Sequence, residues 1–343
     1  MTTIDTSNDA YPPVRWGVLG ASRFAHNVSL PGMVRGPLTQ VVALASRDLG
    51  KAQAAAQRLG IARAYGSYEE LLADPDIDVI YNPLPNHLHV EWSARAARAG
   101  KHVLCEKPVA LDARQAETLL AAQRESGKRV AEAFMVRYHP QWRQARDWIA
   151  EGRIGDLVAV QTAFSYFNRD AGNIRNRKDV GGGALYDIGC YAVNTSRYLF
   201  GREPSRAVAL IERDPDFGTD RLVSGMLDYG AAHMTFTCAT QAVPYQRVNA
   251  FGTKGRIEIE IPFNAPATAP CRIFLDDGSV LGGSSAELTT FPVMDQYHLQ
   301  SEAFSRAIRT GAAPENGIAD AVLNMRVIDA LFRSADHGRW ETI

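Results

Sequence analysis

The chain is predicted to be a two-part α/β protein. A doubly wound parallel sheet with flanking helices comes first, then an α+β half built on a large, mainly antiparallel open sheet. Three observations carry this. Short apolar runs alternate through the first third with helical segments closed by glycine, the pattern of repeated strand–helix–strand crossovers. Beyond Arg137 the period becomes two, as where Ile257, Ile259 and Ile261 alternate with Arg256, Glu258 and Glu260, which marks strands with one buried face. The 343 residues, 46% hydrophobic and 22% charged, suffice for two domains with a substantial core.

Strands are expected at residues 14–19, 40–45, 77–82, 102–105 and 130–134. Helices at 48–59, 87–99 and 112–126 are followed by Gly60, Gly100 and Gly127, the residue type that most easily takes the left-handed turn ending a helix. In the second half, long strands are expected at 157–167, around Met234, Phe236 and Cys238, and at 256–261. Helices follow at 183–199, 295–310 and 317–335. The expected division is an arm at 1–13, a dinucleotide-binding Rossmann domain at 14–136 and a substrate and oligomerisation domain at 137–343. An open sheet leaves one face uncovered, and a second copy is the economical cover, so a homodimer through sheet faces is expected.

A net charge of -1 points away from nucleic acid. The four cysteines, Cys105, Cys190, Cys238 and Cys271, sit in apolar or strand-like runs with no C-x-x-C pair, and read as buried thiols in a reducing compartment. Residues 1–13 are polar, without the basic-then-apolar order of a leader. No apolar run approaches the ~20 residues a bilayer requires. A cytoplasmic location without membrane contact is expected. His87 and His89 lack the i, i+4 spacing of a zinc pair, so no metal is assigned.

After the first strand comes Gly20-Ala21-Ser22-Arg23-Phe24-Ala25, which fits G-x-G-x-x-G/A with serine at the second glycine. The glycine permits a tight turn, and a small residue lets backbone approach a pyrophosphate at the helix start. NAD binders usually end the second strand in an acid that bonds the ribose 2′-hydroxyl. Here Ser46 and Arg47 follow that strand, with Lys51 one turn into the next helix, and this favours NADP(H) over NAD(H). Asp48 reads either as the helix cap or as a displaced acid. Asn82, Leu84, Asn86 and His87 lie in a Pro/Asn turn at the next strand end, where an α/β sheet borders its ligand crevice.

Glu106-Lys107-Pro108 closes another parallel strand, and Asp187 and Tyr191 stand four apart on one helix face. An ammonium, a carboxylate and a phenol beside a nicotinamide are what a carbonyl/alcohol hydride-transfer site needs. Arg175, in the basic stretch 169–178, is expected to border the substrate pocket. Arg137, Tyr138, Phe164 and Tyr297 are further lining candidates, with Tyr166 and Tyr245 weaker ones.

These motifs resemble the glucose–fructose oxidoreductase/inositol dehydrogenase (Gfo/Idh/MocA) family, from about Val14 onward. Further segments, at 133–140, 173–175, 181–185, 252–255 and 261–264, look like its branch of glucose–fructose oxidoreductase, NADP-dependent xylose dehydrogenases, aldose–aldose oxidoreductases and dimeric dihydrodiol dehydrogenases. The resemblance implies that Lys107 contacts substrate and nicotinamide ribose, that Tyr191 is the acid/base, and that Asp187 bonds substrate or orients its neighbours. It implies NADP-dependent oxidation of an aldose C1 hydroxyl to a lactone. The alternatives are a keto-sugar reductase, a trans-dihydrodiol dehydrogenase, or an aldose–aldose enzyme in which NADP(H) stays bound through both half-reactions. A non-catalytic, dinucleotide-sensing regulator is the reading from another class. An isolated tyrosine has a pKa of about 10, and Lys107 is expected to lower that of Tyr191.

Overall fold

The computed structural model describes residues 11–343; the remainder of the N-terminal arm, residues 1–10, lies outside them. The first sheet has six parallel strands: β1 (Val14–Leu19), β2 (Thr39–Ala45), β3 (Arg63–Tyr65), β4 (Val79–Asn82), β5 (His102–Cys105) and β6 (Val130–Glu132). Their order is β3-β2-β1-β4-β5-β6. The order reverses between β1 and β4, so the carboxyl ends of those strands open a ligand crevice. Helices Leu49–Leu59 and Ala113–Ser126 each stop at a left-handed glycine. Asp48 and Asp112 cap their starts by accepting from Lys51 N and Gln115 N. Within this sheet and its crossovers, the three-residue β3 and the short helix Tyr68–Ala73 were not expected from the sequence.

The second sheet has nine strands: β7 (Leu157–Phe167), β8 (Arg206–Arg213), β9 (Asp220–Asp228), β10 (His233–Ala239), β11 (Gln241–Gly252), β12 (Arg256–Ile259), β13 (Cys271–Asp276), β14 (Glu287–Phe291) and β15 (Glu341–Thr342). Its order is β14-β13-β12-β11-β7-β10-β9-β8-β15. Only β7 and β10 pair in parallel; every other neighbouring pair is antiparallel. One face packs under helices, where Phe236, Met234, Val160, Val248 and Ala250 are buried. The other is open: Leu210 and Phe167 keep 79% and 65% of their surface, and Leu222 and Tyr245 stand on the same face.

The last two long helices join the halves. Helix Gln296–Thr310 returns to the first sheet, where the Trp16 indole meets the Phe304 ring at 5.8 Å and donates to Ser305 Oγ at 3.0 Å. Phe304 is part of the core around Val14, Trp16 and Val18. Helix Ile318–His337 packs on both Ala113–Ser126 and β8. The core of the first sheet is therefore completed by residues from the far end of the chain. Among the described residues, no helix is long and apolar enough to cross a membrane.

Candidate active site

A cavity of about 670 Å³ lies between the halves, at the carboxyl edge of the parallel sheet. The wall contributed by the first half comes from the ends of three strands. Ser22, Arg23 and Phe24 follow β1, Pro83 to Asn86 follow β4, and Glu106 and Lys107 follow β5. Gly20 turns the chain with φ +84°, and a Cβ there would meet Leu84 Cδ2 at 2.9 Å, so only glycine brings the backbone this close. Ser22 Oγ accepts from Ala25 N at 3.1 Å, which explains the serine in the glycine motif: its hydroxyl caps the helix that follows.

The opposite wall is built on β7 and on a helical run that begins with a π-turn. Phe164 and Tyr166 project from β7. Leu185–Gly189 is the π-turn, and it leads directly into helix Cys190–Phe200. Asp220 Oδ2 anchors this start by accepting from Leu185 N at 2.6 Å. Gly183 has φ +125°, and a Cβ there would lie 1.9 Å from Asp220 Oδ1, so the approach demands glycine. Asn86 Nδ2 donates to the Gly181 carbonyl at 2.8 Å and ties the two walls together.

Asp187 is the hub. Its Oδ2 accepts from the Tyr166 hydroxyl at 2.6 Å and from Arg175 Nε at 3.0 Å. Lys107 Nζ donates to the Asp187 carbonyl oxygen at 2.7 Å and to Oδ1 at 3.3 Å. Burial opposes the Asp187 charge, but Arg175, Lys107 and the Tyr166 hydroxyl outweigh it and hold the carboxyl well below the usual carboxylate range. Burial likewise works against the Lys107 ammonium, and the Asp187 charge more than offsets it, so its pKa rises. The lysine is therefore a fixed cation.

Tyr191 is 5% exposed and boxed by aromatic rings: Phe134 at 5.3 Å, Phe263 at 5.5 Å and Phe164 at 6.0 Å. Lys107 Nζ sits 5.0 Å from the ring centroid, within cation–π range. The Tyr191 hydroxyl donates to Met135 Sδ at 3.4 Å. The expectation that Lys107 lowers the Tyr191 pKa is overturned. Burial, followed by the negative or ionisable neighbours Tyr297 and Glu106, pushes it well above the ordinary value. The physical reason is that Asp187 already takes up the lysine charge, while the ring is enclosed in carbon.

Other expected site residues divide clearly. Leu84, Asn86, Glu106, Phe164, Arg175 and Tyr297 line the cavity, as does Tyr166. Ser46, Arg47 and Lys51 lie away from its lining, at the end of β2; Arg47 and Lys51 are exposed there, and Lys51 Nζ reaches Asp48 at 3.6 Å. Asn82 is a buried strut, donating to the His89 carbonyl and to Ser93 Oγ. His87 is exposed and outside the lining. Arg137 and Tyr138 are corrections. Arg137 is buried and committed to Asn194 Oδ1 at 2.9 Å and Asp320 at 3.1 Å; Tyr138 is buried away from the cavity. From the same segment it is Phe134 and Met135 that reach Tyr191. Tyr245 stands on the open sheet face rather than in the cavity.

His89, Asn173 and Asn264 also line the cavity; none of them was expected from the sequence as a site residue, although Asn173 and Asn264 fall in segments that carry the family resemblance. His89 has Nδ1 2.7 Å from the Pro108 carbonyl oxygen and Nε2 2.7 Å from that of Leu84; burial lowers its pKa to about 4. Its signal was a histidine opening a helix beside a Pro/Asn turn. The Lys107–Pro108 peptide bond is cis. Among the described residues no group of three or more His, Cys, Asp or Glu side chains is placed to hold a metal ion.

Residues 14–134 match the GFO_IDH_MocA model, described as an oxidoreductase family with an NAD-binding Rossmann fold, and residues 142–258 match the GFO/IDH/MocA C-terminal domain. An uncharacterized oxidoreductase, ORF334 of Rhizobium meliloti, is 45% identical over 96% of this chain and 99% of its own length. The chain belongs to the GFO/IDH/MocA oxidoreductase family. Within that family, the D-xylose 1-dehydrogenase (NADP(+)) 2 of Haloferax volcanii is 38% identical over 94% of this chain and 98% of that one. Among solved structures, the 3-ketoreductase KijD10 of Actinomadura kijaniata, in complex with NADP and TDP-benzene, superposes with a TM-score of 0.87 at 33% identity, covering 94% and 98% of the two chains. The aldose–aldose oxidoreductase of Caulobacter crescentus, complexed with glycerol, gives 0.88 at 27% identity, covering 96% and 100%.

Proposed function

We propose that this chain is an NADP-dependent oxidoreductase that moves hydride between a nicotinamide and a sugar, most simply from the C1 hydroxyl of an aldopyranose to yield an aldonolactone. The observation that supports this best is the meeting of Lys107, Asp187 and Tyr191 in one cavity at the carboxyl edge of the parallel sheet. The Gly20 turn and the residues Ser22, Arg23, Phe24, Leu84, Asn86 and Glu106 suit a dinucleotide there. When bound, it supplies the hydride acceptor or donor. Lys107 holds the reacting oxygen by a charged hydrogen bond, Tyr191 takes or gives its proton, and Arg175 and Asp187 orient the sugar hydroxyls.

NADP is favoured because β2 ends without a free acid. Ser46 stands there, Arg47 is exposed beside it, and Asp48 is engaged as the helix cap. The Haloferax xylose dehydrogenase is NADP-dependent by name, and KijD10 was solved with NADP. Arg47→Asp is expected to lower kcat/KM for NADP+ by more than ~10-fold and to raise the relative use of NAD+. An unchanged ratio of the two would remove Arg47 from cofactor choice.

A second reading, reduction of a keto-sugar, draws on the enclosure of Tyr191 by Phe134, Phe164 and Phe263, since burial there favours the neutral phenol, the form that donates a proton to a carbonyl oxygen receiving hydride. A panel of aldoses and dihydrodiols with NADP+, and of keto-sugars with NADPH, read at the NADPH absorbance, separates the readings. Silence across the panel would leave the dinucleotide-sensing regulator. NADP(H) that co-purifies and survives dialysis would point to the aldose–aldose alternative. The exposed Leu210, Leu222, Tyr245 and Phe167 support a homodimer through the open sheet face; light scattering that returned a monomer would sink it.

A further inference from the structure

We infer that Glu132, at the end of β6, is a positioning residue that sets the place of Lys107 against Tyr191, and this rests on the hydride-transfer reading above. Its side chain is buried, with 1% of the residue exposed. Glu132 Oε1 accepts from Val109 N at 2.8 Å, two residues past Lys107. Its backbone is in register with Cys105, and the Ala133 amide donates to the Cys105 carbonyl. The turn that carries Lys107 is thus held at both ends by residues 132 and 133.

The same short segment supports the phenol. Phe134 packs edge-on against the Tyr191 ring, and Met135 Sδ accepts from its hydroxyl. Residues 132–135 therefore touch the lysine turn on one side and the tyrosine on the other. They form a second link between the two groups, beside the direct contacts of Lys107 with Asp187 and the Tyr191 ring.

Packing alone does not account for a carboxyl here. Glu132 Oε2 has no hydrogen-bond partner among the described residues, and an unpartnered buried oxygen is costly. Burial pushes the Glu132 pKa up to about 8, with Asp320 adding to the rise and Arg197 and Arg137 opposing it. An apolar side chain would avoid that cost but would leave the Val109 amide without an acceptor. What the carboxyl retains is the grip on the turn.

The test compares Glu132→Leu with Glu132→Gln, in kcat and KM with the best sugar and coenzyme of the panel, in NADPH affinity by fluorescence, and in crystal structures. A displacement of ~1 Å can cost about 100-fold in rate. Accordingly, E132L is expected to lose at least ~10-fold in kcat with NADPH affinity held within about threefold, while E132Q, which keeps an acceptor for Val109 N, returns to within about threefold of wild type. The E132L crystal structure should place Lys107 Nζ beyond hydrogen-bond reach of the Asp187 carbonyl. The inference is overturned if E132L turns over normally, if E132Q is as impaired as E132L, or if Lys107 stays in place. It is also overturned if E132L and Glu132→Ala fail to fold while E132Q folds, since the acceptor would then serve stability alone. If the wild type turns over no sugar, the function proposed above falls, and the position of Lys107 in the E132L crystal still decides this inference.

Discussion

Tyr191→Phe is expected to lose about 10²–10⁴-fold in kcat, the usual worth of a positioned general acid or base. Coenzyme affinity should change by less than about threefold, because the variant removes one hydroxyl and keeps the ring. The ring is fixed by Phe134, Phe164 and Phe263 and lies under the Lys107 ammonium. Phenylalanine retains all of those contacts and gives up only the bond to Met135, so a folding defect will not mimic the loss. The raised Tyr191 pKa also sets a direction. In carbonyl reduction the phenol is already protonated, and kcat should be flat through neutral pH. In alcohol oxidation it must first lose its proton, and kcat should climb with pH. Single-turnover rates in both directions against pH test this. Equal turnover by Y191F would take Tyr191 out of the mechanism.

The parallel half was legible because its signals are local. Each strand–helix boundary carries its own cap or glycine, as at Asp48, Gly60, Asp112 and Gly127. The second sheet was legible only where both sides of a strand alternate, as in β7, β10 and β12. β11 contains Pro244 and shifts register between Gln241 and Tyr245, which breaks the period-two pattern a reader relies on. β8 runs Arg-Ala-Val-Ala-Leu-Ile-Glu-Arg and reads as helix as easily as strand. The return of Gln296–Thr310 to cover the first sheet was not legible, because nothing at Phe304 says that Trp16, far back in the chain, is its partner.

The site divides along the same line. Lys107 was legible as a candidate because it falls at the carboxyl end of a parallel strand, and Asp187 because it stands four residues before Tyr191; an acid at a helix start alone would read as a cap, as Asp48 and Asp112 are. The electrostatics of Tyr191 were not legible, because they depend on rings from three distant segments and on Asp187 claiming the lysine first. Arg137 misled for the converse reason. A buried arginine near a site motif looks functional until Asn194 and Asp320 are found to occupy it.

Asp187→Ala should be the most disruptive change at the site for stability and catalysis together. It leaves Lys107 and Arg175 without their shared counter-charge and the Tyr166 hydroxyl without its acceptor. Removing one partner of a buried charge cluster costs about 3–5 kcal/mol. Arg175 is 34% exposed against 13% for Asp187, so solvent screening puts the expectation at the lower end, about 3 kcal/mol. The sign with pH follows from the depressed Asp187 pKa. A carboxyl whose folded pKa lies below its unfolded value, about 3.9, stabilises fully above that value and progressively less as pH falls through the folded pKa. The melting difference between wild type and D187A should therefore be wide at neutral pH and should shrink only below about pH 4. Lys107, with its pKa raised, contributes throughout this range and falls away only as pH rises past about 10. Melting curves of both proteins from pH 3 to pH 8 make the comparison. A gap that stays constant across that span would mean Asp187 is not the ionised hub that holds Lys107, Arg175 and Tyr166 together.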